Sequence, residues 1–363
     1  MAAMAHDATP LKHFLPGWYA LVMGLCGLAL AWHRASPLMG AGADAAALVL
    51  AVLAAAVFVV LAVATVLRGQ RYPEAWAEDR RHPIRHAFIA ALPIAVLLLA
   101  TVGVALFGPA WWVAALWWVG SIAQLFVTVW VLSRWWRGAP GAAASPGAPP
   151  GFALAGVTPA LFIPIVGNVL VPLAGVPLGQ AHWAAAQFGF GLLFWPVVLV
   201  LLAVRLAVAG SWPERLLPTG FIVIAPPAVI GLSLLQLGAA PMVGWALWGM
   251  AFVSFLWAAT LAPRIAKLPF GLPHWGMSFP LAALAALTLR LAEPGWPGAA
   301  AMALLGTALL ALASLVIAGL VLGTLRGLRD GSLLAPEPVP VPVAASGAAP
   351  AGSPAAATPL ARP

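Results

Sequence analysis

Residues 86–107 read HAFIAALPIAVLLLATVGVALF and residues 111–132 read WWVAALWWVGSIAQLFVTVWVL, with only Gly108-Pro109-Ala110 between them. Neither run contains Asp, Glu, Lys or Arg. A helix rising about 1.5 Å per residue needs about 20 apolar residues to cross about 30 Å of hydrocarbon, and both runs meet that length. Strands of a transmembrane barrel would instead alternate polar and apolar over about ten residues. The stretch is a pair of membrane-spanning helices, and it sets the fold class of the whole chain.

Runs of the same kind recur on both sides, at 14–32 and 45–67 before the pair and at 158–177, 181–204, 218–237, 241–261, 274–291 and 298–325 after it. The expectation is an all-α integral membrane protein of ten transmembrane helices. The composition agrees: of 363 residues, 63% are hydrophobic and 7% charged, and the mean hydropathy is +1.02. Soluble domains carry about 25% charged residues, and disordered chains combine low hydrophobicity with high net charge, so both classes are excluded. The lone Cys26 excludes an intrachain disulfide and a cysteine metal site. The first run follows Lys12 as a signal peptide's core would, and Ala29-Leu30-Ala31 imitates a cleavage site, but the run is long enough to span and reads as a retained helix.

The net charge is +8, which in a soluble protein would point to nucleic acid; here the basic residues lie between apolar runs and orient them. Lys12, Arg68, Arg71, Arg80, Arg81, Arg85, Arg134, Arg137, Arg205, Arg215, Arg264, Lys267, Arg326, Arg329 and Arg362 fall on one side of a ten-span topology, Arg34 and Arg290 on the other. By the positive-inside rule both termini are expected in the cytoplasm. The domains read as a cytoplasmic arm (1–13), a transmembrane domain (14–328) interrupted by a low-complexity cytoplasmic linker (138–151, GAPGAAASPGAPPG), and a disordered Pro/Ala-rich tail (329–363). The 18 tryptophans include pairs at Trp111/Trp112, Trp117/Trp118 and Trp135/Trp136, and those near span ends suit interfacial anchoring.

The prolines separate two kinds of span. Pro16, Pro93, Pro164, Pro172, Pro226, Pro227 and Pro280 lie inside or near the start of odd-numbered spans, whereas Pro196 is the one interior proline of the even-numbered ones. Proline removes a helical hydrogen bond and kinks the helix, and the freed carbonyl must face protein or water rather than lipid. The expectation is five helical hairpins, with an inner ring of five proline-kinked helices around a pore and an outer ring of five. No Asp, Glu, Lys or Arg lies near the middle of a span, which argues against a proton relay through a buried carboxylate. Such a path would be lined by small residues, backbone dipoles and amides such as Asn168, and half-helix N-termini would favour anions.

Several stretches together resemble one family: HPIR at 82–85 leading into the third span, PGWYALVMGLCGLALAW in the first, TPALFIPIVGNVLVPLAG in the fifth and HWGMSFPLAAL in the ninth. They are similar to the tellurite-resistance/dicarboxylate transporter family, which includes bacterial TehA proteins and plant slow-type guard-cell anion channels. The resemblance covers about residues 13 to 328. It implies a homotrimer in a bacterial inner membrane, each protomer holding a pore occluded by a phenylalanine of the ninth helix, here Phe279. It implies pore-lining or pore-shaping roles for Ala20, Gly24, Pro93, Pro164, Asn168, Pro227, Ser278 and Pro280, with Ala20 at the first-helix position that faces the phenyl ring and is often glycine in relatives. The function implied is a channel for small monovalent anions, chloride or nitrate. The alternative is a secondary transporter of an oxyanion (tellurite, sulfite) or a C4-dicarboxylate such as malate. The expected partners are small inorganic anions, lipid and further copies of the chain, not nucleic acid.

Other signals are weaker. His82 and His86 have metal-ligand spacing, but Pro83 places His82 before the helix and no glutamate follows it, so a loop histidine is expected. Gly319, Gly323 and Gly327 repeat the G-x-x-x-G spacing of close helix packing. No nucleophile–base set, phosphate loop or metal-ligand cluster stands out, so neither enzymatic activity nor a cofactor is expected.

Overall fold

A computed structural model of the chain describes residues 10–137, 154–296 and 298–335. Residues 1–9 of the arm, the linker at 138–151 and residues 336–363 of the tail lie outside the described residues. The main helices are α1 (Ala20–Arg34), α2 (Ala41–Arg71), α3 (Ala91–Phe107), α4 (Trp111–Arg137), α5 (Phe162–Val166) and α6 (Val171–Gly175). They continue as α7 (Ala181–Ala209), α8 (Ala225–Gln236), α9 (Pro241–Ala259), α10 (Ser278–Leu291) and α11 (Ala299–Arg329). Among the described residues there is no strand. Eight segments are long and apolar enough to cross a membrane. The first expected span is shorter, a 3-10 turn (Pro16–Tyr19) leading into α1, and the fifth is broken into α5 and α6.

Two populations of helix follow from the sequence. The long helices α2, α4, α7, α9 and α11 bury 17–39% of their most apolar windows, whereas the segments ending in α3, α8 and α10 bury 72–89%. The buried segments close a ring: α1 packs on α3, α3 on α6, α6 on α8, α8 on α10, and α10 back on α1. Each long helix packs behind the ring element that precedes it, α2 on α1, α4 on α3, α7 on α5 and α6, α9 on α8, and α11 on α10. Lipid tails are as apolar as leucine, so these contacts rest on close packing rather than on exclusion of water. Glycines on the outer helices supply it. A side-chain carbon at Gly120, Gly191, Gly244 or Gly306 would lie 2.7–2.9 Å from Leu97, Val169, Leu235 or Leu289 respectively.

The prolines act differently from the expected mid-helix kinks. Pro93, Pro226, Pro227 and Pro280 lie in the first turn of α3, α8 and α10, where the missing N–H is not needed. The segments before α8 and α10 are 3-10 helix, Glu214–Ile224 and Leu272–Met277. Proline therefore marks where a tighter helix passes into an α-helix. Pro196 does sit inside α7, as expected for a single interior proline among the long helices.

The described start of the tail is also more ordered than expected from its composition. Helix α11 runs to Arg329, and Ser332–Leu334 form a 3-10 turn. Leu333 packs where Gly327 leaves room, and Phe270 packs against Gly323, while Gly319 faces open space. The triplet thus serves contacts within the chain at two of its three positions.

Candidate functional site

A cavity of about 890 Å³ opens at the end of the ring that carries Lys12 and Arg215 and reaches Phe279. The 3-10 segments build much of its wall, contributing Pro16, Gly17 and Trp18, then Leu216 and Thr219, then Leu272, His274 and Trp275. The wall residues that α1, α3, α5, α8 and α10 themselves contribute are apolar, including Ala20 and Met23 of α1, Ile94 of α3, Phe162 and Val166 of α5, and Ala225 of α8, while Arg85, in the helical turn before α3, is charged. Phe279 is 7% exposed.

Phe279 lies against α1, but Ala20 is not the residue that faces it. A side-chain carbon at Gly27 would lie 3.0 Å from the phenyl ring and 3.2 Å from Ala282, so the missing side chain is what seats the ring. Ala20 lines the cavity two turns earlier on α1. The expected glycine is therefore present, displaced by two helical turns. Gly24 and Ser278 meet one turn away from Gly27, and a side chain at 24 would collide with the Ser278 hydroxyl. Ser278 donates to the carbonyl of Trp275 (2.7 Å), and the Trp275 indole donates to Thr324 of α11 (2.8 Å). These bonds hold the 3-10-to-α junction that carries Phe279.

Of the sequence-stated candidates, Ala20, Phe279 and Pro280 line the cavity, and Gly24 and Ser278 brace it. Pro93 and Pro227 start their helices behind the wall. Asn168 is not a lining residue. It is fully buried and turned toward the outer helices, donating to Thr128 (2.9 Å) and to the carbonyl of Pro164 (3.1 Å) and accepting from Gln187 (3.0 Å). The Pro164 carbonyl also accepts from Gln124 (2.8 Å) and Thr128 (2.5 Å), and the Val169 carbonyl from Ser233 (2.5 Å). Where the fifth segment breaks, neighbouring side chains satisfy the carbonyls that its own N–H groups release, as an apolar interior requires. Trp117 is likewise buried and donates to the carbonyl of Val171 (3.0 Å). Asn168→Leu should therefore lower the protein's thermal stability in detergent by about 1–2 kcal/mol, the scale of polar contacts between membrane helices. Anion selectivity should not change, whereas a pore-lining amide would alter it.

The mouth combines four cations with two carboxylates. Arg68, 2% exposed, pairs with the buried Asp79 (2.6 Å) and donates to the carbonyl of Lys12 (3.2 Å). Arg85 pairs with Glu78 (3.0 Å) and Asp79 (3.4 Å). Lys12 and Arg215 are exposed and have no acidic partner among the described residues. Glu214, next to Arg215, is taken by Arg264 (3.0 Å). Burial, then Lys12 and Arg68, push the His13 imidazole below its ordinary pKa, which disfavours its charged form. His82 accepts at Nδ1 from the backbone of Ile84 and Arg85 (both 3.1 Å), a turn-capping role that matches the loop histidine expected. Among the described residues the mouth is left with two cations that no carboxylate pairs, Lys12 and Arg215, which the sequence marks only as orienting charges.

A multi-pass helical chain with a buried ring of helices and a large cavity within it, lined by charged residues at a mouth and by apolar and aromatic residues of the ring, is, by class, a membrane channel or carrier. Comparison with known proteins is more specific: the chain belongs to the voltage-dependent anion channel family (SLAC1), whose profile matches residues 13–325. It is 26% identical over 273 residues to a tellurite resistance protein TehA homolog of Haemophilus influenzae, covering 74% of this chain and 78% of that one. It is 27% identical over 223 residues to the S-type anion channel SLAH2 of Arabidopsis thaliana, covering 61% of this chain and 40% of that one. A third similar protein, an uncharacterized transporter of Methanocaldococcus jannaschii, is 25% identical over 304 residues, covering 76% and 83% of the two chains.

Proposed function

We propose that the chain is a channel for small monovalent anions such as chloride and nitrate, closed at rest by Phe279. The observation that carries this reading is the seat of the phenyl ring against Gly27, in the wall of a cavity to which α1, α3, α5, α8 and α10 contribute apolar side chains. A hydrophobic constriction of this kind closes by excluding water as well as by filling space. The uncompensated Lys12 and Arg215 at the mouth raise the local anion concentration. Current recording across a planar bilayer tests the reading. A channel passes large passive current once the ring is removed, whereas a carrier of an oxyanion or dicarboxylate moves substrate only with a coupled gradient.

In this reading all ten segments cross a bacterial inner membrane, three copies assemble, and both termini face the cytoplasm. The charge asymmetry supports the orientation, and the pairing of each ring segment with a following long helix supports the even count. Reporter fusions at Gly331 and at Pro37 should then report opposite sides of the membrane. Reports from the same side would rule out the ten-span topology.

A further inference from the structure

The cavity is much larger than a small inorganic anion requires, and its chemistry is divided. Its 890 Å³ falls within the range of pockets that enclose drug-sized ligands, about 300–1,000 Å³. Its deeper wall is aromatic and aliphatic, with Phe88, Phe162, Trp275 and Phe279 among the lining side chains. Its polar side chains away from the charged mouth are few: the Thr219 hydroxyl already donates to the carbonyl of Leu216 (2.6 Å), and the His274 Nδ1 is engaged by the backbone of Gly271. At the mouth the pairs formed by Arg68 and Arg85 with Asp79 and Glu78 cancel, and Lys12 and Arg215 remain. A small, strongly hydrated anion gains from the mouth and nothing from the apolar wall. A neutral apolar molecule gains from the wall alone, and an organic cation is repelled at the entrance.

We infer that this cavity is a binding site for amphiphilic organic monoanions, molecules with one carboxylate or sulfonate and a flat apolar body of about two fused rings. The body lies along the apolar wall toward Phe279, and the anionic head stays at the mouth near Lys12 and Arg215, where it keeps part of its hydration. Because the site ends on Phe279, an occupant fills the approach to the ring and competes with any anion entering from that end. Binding itself does not depend on conduction, so it is measurable on the closed wild-type protein.

The test is isothermal titration calorimetry of the full chain in a neutral detergent, with naphthalene-2-carboxylate as probe and 2-naphthylmethanol as its uncharged analogue. The expected result is saturable binding of the carboxylate, with one site per chain, about tenfold or more tighter than the alcohol. The double variant Lys12→Gln/Arg215→Gln should weaken the carboxylate about tenfold and leave the alcohol unchanged, since both residues are exposed and remote from the core. Met23→Trp fills the apolar part of the cavity and should abolish binding of both; Ala20→Phe, on the same wall, serves if that variant does not elute as folded protein. Non-saturating heat, equal affinity for acid and alcohol, or indifference to the Lys12/Arg215 change would each overturn the inference. Passive current through Phe279→Ala together with any of these results would leave the channel reading standing and remove only the binding site. Carboxylate binding without such current would do the reverse.

Discussion

Phe279→Ala should raise anion conductance by at least about tenfold in planar-bilayer recordings, because a hydrophobic constriction that has lost its obstructing ring can wet. The ring lines the cavity and packs against Gly27, so its removal widens the cavity at that point. Truncating an ordinary buried phenylalanine would instead cost about 3–5 kcal/mol and bring no gain in activity. The two outcomes are opposite, provided that equal amounts of protein reach the membrane. Phe279→Leu should give a smaller increase, since leucine still obstructs. Phe58→Ala is the matched control: Phe58 lies on α2 against Tyr19 (ring centroids 6.0 Å apart), away from the cavity, and its loss should leave conductance unchanged. No increase in Phe279→Ala protein that is folded and inserted would end the gate assignment.

The second large effect concerns folding. Asp79→Ala should destabilise the chain by about 3–5 kcal/mol, the cost of leaving a buried charge without its partner. Asp79 is fully buried and accepts from both Arg68 and Arg85. Arg68 is itself buried in the last turn of α2, so the loss of Asp79 leaves its guanidinium without its carboxylate partner. The loss should appear as a fall in the melting temperature of the detergent-solubilised protein and in its yield. Glu78→Ala is the contrasting case, because its carboxylate is 65% exposed on the same Arg85 and exposed pairs contribute at most about 1 kcal/mol. Equal effects of the two changes would show that the buried pair does not govern the stability of this end.

What the sequence determined alone is everything set by composition along one segment at a time. Ten apolar runs of spanning length dictate a helical membrane protein, because each backbone must satisfy itself within the bilayer. The concentration of prolines in alternate runs separates the buried ring from the long helices behind it, since a helix that releases backbone carbonyls has to lie against protein. The structure bears out that division through burial, although it places most of these prolines in first turns rather than in mid-helix kinks. Phe279 was legible only through a resemblance of motif.

The tertiary structure decided every statement that links two segments. That Gly27 rather than Ala20 receives the phenyl ring depends on the axial offset between α1 and α10, which no spacing within either helix contains. That Asn168 turns toward Thr128 and Gln187, away from the cavity, depends on where α4 and α7 pass behind the broken segment. The mouth is the clearest case. In sequence, Arg68, Arg85, Lys12 and Arg215 are equivalent basic residues counted for orientation. In space Asp79 and Glu78 neutralise the first two, while no carboxylate among the described residues pairs with the last two, because Coulomb energies follow distance across the fold and not position along the chain.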